Sequence, residues 1–382
     1  MTRPTAKGWC PGAHRPMPSG DGLLVRVRPH LGRLTEEQVL RLCEAALRHG
    51  SGLIDLTSRS NLQLRGITPA RHEPLLQDLH QLGLLDADPA VEVRRNVLCA
   101  PLWRDGDETA CLAEELTQRL SELPELPAKF GFAVDAGRQR SLVNASADIR
   151  IERGTNGGLI LRAEGAERGQ AVTAESAISA AIALAEWFVR TGGLVKVRMA
   201  RHLHHRRLPL EMQQEHPAQS ADALIPGPLV CDAFDAAAVY GVQFGRIPAA
   251  RLMALMDRSG AHALRVTPWR LFLLEGARAV DVAPFVTAPD DPLLAVDACP
   301  GAPACASATV DTRAVARALA GRVKGRLHVS GCAKGCARPH SAETTLVGSE
   351  GCFDLVREGC AWDAPERSGL LPAALVGGTE CL

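Results

Sequence analysis

The chain has 382 residues, and its 43 basic residues balance its 43 acidic ones, so the formal net charge is zero. This balance excludes a global electrostatic attraction to nucleic acid or to an anionic membrane, and aromatic residues make up only 4% of the chain. No run of about 18 apolar residues predicts a membrane span, and the first residues lack the apolar segment of a signal peptide. We therefore expect a cytoplasmic protein with no nucleic-acid partner and no membrane partner.

The first predicted elements are a helix, two strands and a second helix. Thr35 and Gln38 have the spacing of a capping box, an apolar stripe follows at helical spacing, and Gly50 ends the helix. The stretches "GLIDL" and "LQLRGI" are typical of short strands. A second helix is predicted to begin with Pro69 at its first position.

This order of elements occurs twice in the chain. The later segment "GRIPAARLMALMDRSGAHALRVTPWRLFLLEGA" repeats it, and placing Thr57 on Thr267 without a gap brings Gly66 onto Gly276. A repeat near half the chain length indicates a pseudo-twofold protein with a site between its halves. Each copy is followed by a larger unit of strands and helices, so the predicted fold class is α+β.

Two pairs of cysteines stand near the end of the chain, Cys299 and Cys305 in "ACPGAPAC" and Cys332 and Cys336 in "GCAKGCARP". Neither spacing matches the C-x2-C of a structural zinc site or a small ferredoxin motif. Thiolates on two loops are suited to a cubane 4Fe-4S cluster, and the flanking glycines let the backbone approach it. The pattern favours this cluster, with zinc or packed thiols as alternatives.

Seven further cysteines, from Cys43 onwards, show no pairing pattern, and we expect them to be packing residues. They are Cys43, Cys99, Cys111, Cys231, Cys352, Cys360 and Cys381.

The cysteine motifs resemble the signature of the siroheme-dependent sulfite and nitrite reductases. The resemblance implies a duplicated, pseudo-twofold fold of two ferredoxin-like half-domains and two larger mixed α/β domains. It also implies that the four cysteines bind a 4Fe-4S cluster, with Cys336 as the bridge to the siroheme iron in such enzymes. The domains we predict are residues 1–85 and 213–290 for the half-domains, the latter with a linker, and residues 86–212 and 291–382 for the larger domains.

Three further motifs resemble those of the same superfamily. "TSRSNLQLRG" and "VRRNVLC" place Arg59 and Arg95 against the tetrapyrrole, and "LPAKFGF" places Lys129 on the first residue of a lysine pair. Gly131 stands where the second lysine is expected. The loss of this cation argues against sulfite or nitrite reduction, because those anions require concentrated positive charge.

The segment "CPGAHRPMPSGDGLLVRVRP" resembles the opening of the precorrin-3B synthases, a cobalamin-pathway branch of this superfamily. This resemblance implies an O2-dependent monooxygenase that hydroxylates a meso carbon of precorrin-3A, after which the ring A acetate closes a γ-lactone. Arg26, Arg28, Arg59 and Arg95 are then expected to bind tetrapyrrole carboxylates, together with Lys129. The resemblance also implies a mononuclear non-haem iron, whose ligands the sequence does not identify.

Two other interpretations compete with this one. A siroheme-dependent reductase of sulfite or nitrite shares the cysteine set, whereas a non-catalytic tetrapyrrole carrier has no use for an electron-transfer cluster. The chain lacks a G-x-G-x-x-G motif after a strand. We therefore expect electrons to come from a separate reductase or ferredoxin that uses NAD(P)H.

Some histidines and one cysteine give weaker signals. If "RHLHHRRL" is extended, His202 and His204 share a face and are candidate iron ligands with His205 nearby, although a basic surface loop is the favoured interpretation. Cys10 and His14 are either metal ligands or tetrapyrrole contacts, or else ordinary residues of an ordered N-terminal tail.

Overall fold

The structure is a computed structural model and describes residues 10–378. Within this range no helix is long and apolar enough to cross a membrane. The first segment contains β1 (Met17–Ser19), β2 (Gly22–Val27), β3 (Arg33–Thr35), α1 (Glu36–His49), β4 (Leu53–Leu56), β5 (Leu62–Ile67) and α2 (Pro69–Gln81). The second contains α3 (Pro89–Arg94), β6 (Val97–Cys99), α4 (Glu108–Gln118), β7 (Phe132–Asp135), β8 (Ile149–Arg153), β9 (Leu159–Ala163), β10 (Gln170–Val172), α5 (Ala174–Arg190), α6 (Gly193–Lys196) and α7 (Met199–Leu203).

The second half repeats these two kinds of segment. The third segment contains β11 (Gly227–Cys231), β12 (Phe234–Val242), β13 (Arg246–Pro248), α8 (Ala249–Ser259), β14 (Ala263–Val266), β15 (Leu271–Glu275) and β16 (Phe285–Val286). The fourth contains β17 (Val296–Ala298), α9 (Thr312–Leu319), β18 (Leu327–Ser330), β19 (Ala342–Ser349), β20 (Cys352–Gly359), β21 (Arg367–Leu370) and α10 (Pro372–Gly377).

The first helix begins as the sequence predicts. The Thr35 side chain accepts a hydrogen bond from the Gln38 amide, and the Gln38 side chain accepts one from the Thr35 amide, which completes the capping box. These two bonds satisfy amide groups that a helix leaves without partners at its first turn. The predicted strands β4 and β5 and the helix that begins at Pro69 are also confirmed.

The two half-domains exchange a strand. Sheet 1 has the order β1-β2-β5-β4-β13 and sheet 2 the order β11-β12-β15-β14-β3, with β16 beside β12. Strand β13 of the second half pairs with β4, and β3 of the first half pairs with β14. Helices α1 and α8 pack against each other, and one apolar core includes residues from both halves. The halves therefore share a core, which periodicity within either half does not reveal.

Backbone geometry supports the predicted duplication. Leu31 and Phe244, which precede the exchanged strands, have φ values of 47° and 56°. Ser60 and Arg270 occupy equivalent turns and have φ values of 52° and 59°. Left-handed conformations are uncommon outside glycine, so their recurrence at matched positions reflects a common local structure.

The two larger units also share one topology. Sheet 3 has the order β10-β9-β8-β7-β6 and sheet 4 the order β17-β18-β19-β20-β21. In each sheet the first three strands along the chain are parallel and the next two pair antiparallel. Loops after adjacent parallel strands meet at one edge of a sheet, so the loops after β17 and β18 lie together.

The linker predicted between the halves, in the stretch "EHPAQSADALIPGP", is not a free connection. Pro217 and Glu215 form isolated β-bridges with Gly154 and Gly169, and the Arg140 Nε donates to the Ala218 carbonyl oxygen at 2.5 Å. The linker therefore lies against the strands of sheet 3, before the chain enters sheet 2 at β11. The predicted domain limits remain predictions, and the exchanged strands cross them.

Candidate functional site

Sheet 1 presents a row of polar side chains on the face opposite its helices. Strand pairing places Arg26, Gln63, Asp55 and Arg246 side by side on four neighbouring strands. Arg26 Nη2 donates to Gln63 Oε1 at 2.7 Å, and Arg246 Nε donates to Asp55 Oδ1 at 3.2 Å. We call this row the polar face of sheet 1.

Two predicted arginines lie buried at the start of this face. Arg26 is 8% exposed and Arg28 is 5% exposed, and among the described residues neither Nε has a hydrogen-bond partner. Burial lowers the pKa of Arg26 to about 10, so Arg26 remains charged at neutral pH, and burial also lowers the pKa of Arg28. Arg28 is partly neutralised, because its Nη1 lies 2.7 Å from Glu92 Oε1.

The turn after β4 brings Arg59 to Lys129. Arg59 Nη2 donates to the Lys129 carbonyl oxygen at 2.7 Å, whereas Nη1 is buried and has no partner among residues 10–378. Burial lowers the pKa of the Arg59 guanidinium. Lys129 is half-buried and contributes its backbone to this contact.

Arg95 lies near Arg59 but is paired. Its Nε and Nη2 donate to Asp86 Oδ2 at 3.1 and 2.9 Å. Arg59, Arg95 and Asn96 line one small cavity, and the buried Asn96 Oδ1 has no partner in the described part of the chain. The structure thus gathers the predicted residues, but carboxylates of the protein already engage Arg28 and Arg95.

Gly131 is held against the backbone of this region. Its amide donates to Asp148 Oδ2 at 3.0 Å, and a Cβ atom added at this position would lie 3.1 Å from the Asn96 carbonyl oxygen. A side chain at this position, such as the lysine that the reductase motif carries here, would therefore require the Asn96 backbone to shift by a few tenths of an ångström.

The N-terminal loop is built around Glu92. The Glu92 carboxylate accepts hydrogen bonds from the amides of Ala13 and His14, and a Cβ atom on Gly12 would lie 2.5 Å from Glu92 Oε2. Cys10 then lies beside Arg26 and raises its pKa. Of the two residues left open by the sequence, Cys10 therefore reaches the polar face, and His14 binds the Asp86 carbonyl oxygen through Nε2 at 2.7 Å.

The histidine group after α6 is not assembled as a metal site. His202 belongs to helix α7 rather than to an extended segment, so the predicted shared face with His204 is wrong. The His202 ring is buried against Trp187 and Phe188, and its Nε2 lies 2.7 Å from Thr191 Oγ1. His204 and His205 are exposed, in agreement with the surface-loop interpretation.

The four clustered cysteines lie on the loops that follow β17 and β18. Gly331 donates its amide to Cys299 Sγ at 3.1 Å, and Thr312 Oγ1 donates to the Cys299 carbonyl oxygen at 2.6 Å. Partial desolvation of the Cys336 sulfur raises its pKa, although the residue is exposed at its outer side, and the charges of Cys299, Cys332 and Cys305 raise the pKa further. The thiols are therefore electrostatic neighbours, with a backbone amide aimed at a sulfur, which fits the donor set of a 4Fe-4S cluster.

No three His, Cys, Asp or Glu side chains within residues 10–378 lie close enough together to hold one metal ion. The 4Fe-4S assignment consequently rests on the two adjacent loops and their thiols. Among the described residues no group of three such side chains marks a site for the non-haem iron that the family resemblance implies.

The packing interpretation of the other cysteines holds in part. Cys43 and Cys99 are buried, and burial raises the pKa of the Cys43 thiol to about 12. Cys111 is exposed on α4, so the packing prediction is wrong there. Cys381 lies outside the described residues.

Sequence reasoning missed four residues of the polar face and its surroundings. They are Asp55, Arg65, Arg246 and Arg313. Alternation in "LQLRGI" is a signal for Gln63 and Arg65, which occupy the non-apolar positions of β5. No such signal exists for Arg246 and Arg313, because the exchanged strand β13 and the fold of the fourth segment bring them here.

Comparison with known proteins agrees with this architecture. The model of the nitrite/sulfite reductase ferredoxin-like half domain matches residues 15–82. The structure of NirA from Mycobacterium tuberculosis matches with a TM-score of 0.64 and 17% identity, over 93% of this chain and 79% of NirA. A ferredoxin–nitrite reductase of Synechococcus elongatus is 31% identical over 34% of this chain and 27% of its own length. The half-domain match and the reductase relative support membership of the nitrite and sulfite reductase superfamily, and the NirA structure shows that the fold is shared.

A longer match defines the family within that superfamily. A precorrin-3B synthase of Sinorhizobium sp. is 34% identical over 94% of this chain and 84% of the relative. The chain belongs to the precorrin-3B synthase family. It is therefore an enzyme of the oxidoreductase class with a role in cobalamin biosynthesis.

Proposed function

We propose that this cytoplasmic enzyme converts precorrin-3A to precorrin-3B in an O2-dependent monooxygenation. The observation that carries the proposal is a pair of arginines, Arg26 on the polar face of sheet 1 and Arg59 in the turn after β4. Arg26 is buried and charged, Arg59 is half-buried with a buried Nη1, and neither has a carboxylate partner among the described residues. The acetate and propionate groups of a tetrapyrrole supply such carboxylates, and arginine binds them through charge-assisted hydrogen bonds.

In the proposed reaction one oxygen atom of O2 enters the substrate and the other leaves as water. The double bond between a meso carbon and the adjacent carbon of ring A is lost, because the meso carbon gains the hydroxyl oxygen and the ring carbon bonds to the ring A acetate oxygen, which closes the γ-lactone. The carboxyl proton of the acetate balances the proton of the new hydroxyl. Two electrons and two protons from outside the substrate are needed to reduce the second oxygen atom. Arg26, Arg59 and Lys129 are proposed to bind and orient the carboxylates so that the reacting carbon is held in one place. Arg28 and Arg95 are proposed to contribute only through the donors that Glu92 and Asp86 leave free.

The electrons are proposed to pass through a 4Fe-4S cluster held by Cys299, Cys305, Cys332 and Cys336. When bound, such a cluster transfers one electron at a time. Cys336 is the most accessible of the four, because its side chain is exposed. We propose that an external reductase or ferredoxin, itself reduced by NAD(P)H, delivers electrons near this residue.

The alternative of a siroheme-dependent sulfite or nitrite reductase is less well supported. Gly131 takes the place of a lysine, and a side chain there would have to displace the Asn96 carbonyl oxygen, 3.1 Å from the Cβ position. Arg28 and Arg95 are already paired with Glu92 and Asp86. The positive charge that remains suits a ligand with several dispersed carboxylates better than one small, highly charged anion.

An incubation with labelled dioxygen tests this proposal. Anaerobically purified protein is given precorrin-3A, an artificial reductant and labelled O2, and the product is examined by mass spectrometry. We expect a hydroxy-lactone with one labelled oxygen in the new hydroxyl. Label taken from water, or tightly bound siroheme with turnover of sulfite or nitrite, would refute the proposal in favour of the reductase. Unchanged tetrapyrrole would indicate a carrier.

A further inference from the structure

The internal duplication supplies a comparison for the polar face of sheet 1. The equivalent positions in sheet 2, again on neighbouring strands, are Val239, Leu273, Arg265 and Arg33. The two rows have the same backbone pairing but different side chains. A difference between the contacts of the two rows therefore comes from the side chains and from what covers each face.

The face of sheet 2 is covered by the protein itself. Val239 and Leu273 belong to an apolar cluster. Arg265 donates to the Trp103 and Pro101 carbonyl oxygens at 2.6 and 2.9 Å, and its guanidinium carbon lies 4.0 Å from the centre of the Trp103 ring. Both this arginine and Arg33 contact Glu275. No buried nitrogen of these two arginines lacks a partner in the described structure.

The corresponding part of sheet 1 has more donors than acceptors. Asp55 lies among three guanidinium groups, at 3.1 Å from Arg65 Nη1, 3.2 Å from Arg246 Nε and 4.0 Å from Arg313 Nη2. Arg65 also forms an ion pair with Asp21, in which Arg65 Nε lies 2.8 Å from Asp21 Oδ2. Three buried nitrogens, Arg246 Nη2 and Arg313 Nε and Nη1, have no partner within residues 10–378.

Arg313 is the most informative of these residues. Its side chain is only 8% exposed, and burial lowers its pKa to about 10, which leaves it charged at neutral pH. A buried charged group with unsatisfied donors is costly to the folded protein. Arg313 follows Thr312, which is bonded to the Cys299 backbone, so it lies at the end of the polar face nearest the clustered cysteines.

We propose that Arg246 and Arg313 form a carboxylate-binding subsite for one acetate or propionate group of the tetrapyrrole. This inference rests on the proposed function and extends it to residues contributed by the second half of the chain. The bound carboxylate accepts the free donors of both arginines and supplies the negative charge that Asp55 alone does not provide. The substrate therefore contacts both halves, and the exchanged strand β13 carries part of its site.

Binding of uroporphyrin, a stable tetrapyrrole that carries acetate and propionate groups, tests the subsite in the intact protein. We expect Arg313→Gln to weaken binding by about ten- to a hundredfold in a fluorescence titration, the range for one lost charge-assisted contact. The matched control is Arg317→Gln on the exposed face of the same helix, which should bind as the unaltered protein does. Arg246→Gln provides a second variant if Arg313→Gln does not fold.

Thermal unfolding separates ligand binding from a structural role. Because the free donors destabilise the unliganded protein, the ligand-free Arg313→Gln protein should unfold at the same or a higher temperature while losing most of its stabilisation by uroporphyrin. A lower unfolding temperature in both variants, with reduced binding, would show a structural role and overturn the subsite. Unchanged binding by both variants would also overturn it. If Arg59→Ala still weakens binding in that case, the proposed function stands; if it does not, both proposals fail.

Discussion

At the scale of single residues, Arg59 tests the position of the tetrapyrrole. Its Nη1 is buried without a partner in the described structure, whereas its Nη2 binds the Lys129 carbonyl oxygen. We predict that Arg59→Ala weakens uroporphyrin binding by about ten- to a hundredfold and leaves the iron content unchanged. Arg41→Ala, which removes an exposed arginine of α1, is the control. Equal affinities of the two variants for uroporphyrin in a titration would show that Arg59 does not contact the tetrapyrrole.

His328 is a residue whose burial has a consequence for stability. Its ring is completely buried in β18, and among the described residues neither ring nitrogen has a hydrogen-bond partner. Burial lowers its pKa from 6.5 to about 4, with nearby Arg270 and Arg338 adding to this effect and Asp297 opposing it. The neutral ring is therefore the stable form in the folded protein.

This pKa difference predicts a loss of stability in acid. Between pH 6.5 and about 4 the unfolded chain binds a proton that the folded protein excludes, so the free energy of unfolding falls as the pH falls, by roughly 3 kcal/mol in total. His328→Leu should reduce this dependence, as measured by urea unfolding at pH 7 and pH 4.5. His340→Gln, at an exposed position, should not. The same acid sensitivity in all three proteins would contradict the prediction.

At the scale of elements, the N-terminal loop acts as a unit with Glu92. A Cβ atom at Gly12 would lie 2.5 Å from the Glu92 carboxylate, which also holds Arg28 and the amides of Ala13 and His14. We predict that Gly12→Ala displaces this loop, lowers the unfolding temperature and weakens uroporphyrin binding. Gly377→Ala in α10, where a Cβ atom meets nothing within 4 Å, should leave both unchanged. If Gly12→Ala binds uroporphyrin as tightly as the unaltered protein does, the N-terminal loop does not contribute to the binding site.

The two loops that carry the clustered cysteines each follow a parallel strand, β17 or β18. We predict that anaerobically purified protein contains about four iron and four sulfide per chain, and that Cys336→Ser loses most of the visible absorption. Cys111→Ser changes an exposed cysteine of α4 and is the matched control. Stoichiometric zinc without sulfide, in protein made under iron-replete and oxygen-free conditions, would contradict the cluster assignment.

The limits of sequence reasoning are also clearest at this scale. Local patterns predicted the Thr35 capping box, the helix that starts at Pro69 and the repeated turn that contains Arg59, because each depends on residues close together in the chain. Motif resemblance brought Arg26 and Arg95 into the candidate site. The pairing of β13 with β4 depends on contacts between residues nearly two hundred positions apart, as in Arg246 and Asp55. No local pattern encodes such a contact, so the subsite of Arg246 and Arg313 emerged only from the structure.

At the scale of the whole molecule, the exchanged strands make the two halves depend on each other. Without the second half, sheet 1 lacks β13 and the apolar face of α1 lacks α8; without the first half, sheet 2 lacks β3. An exposed sheet edge and an uncovered apolar helix face both favour aggregation. The shared core therefore predicts one cooperative unit rather than two independently stable halves.

Dividing the chain between Asp222 and Ala223, which are both exposed, tests this prediction. Residues 1–222 and 223–382 produced separately should each fail to give a cooperative unfolding transition by circular dichroism. Produced together, they should co-purify and unfold in a single transition, because β3 and β13 can then pair with their partner sheets. The undivided chain is the reference for the unfolding temperature, which should be higher because no association entropy opposes its folding. A cooperative transition in either fragment alone would show that the strand exchange is not required for the half-domains to fold.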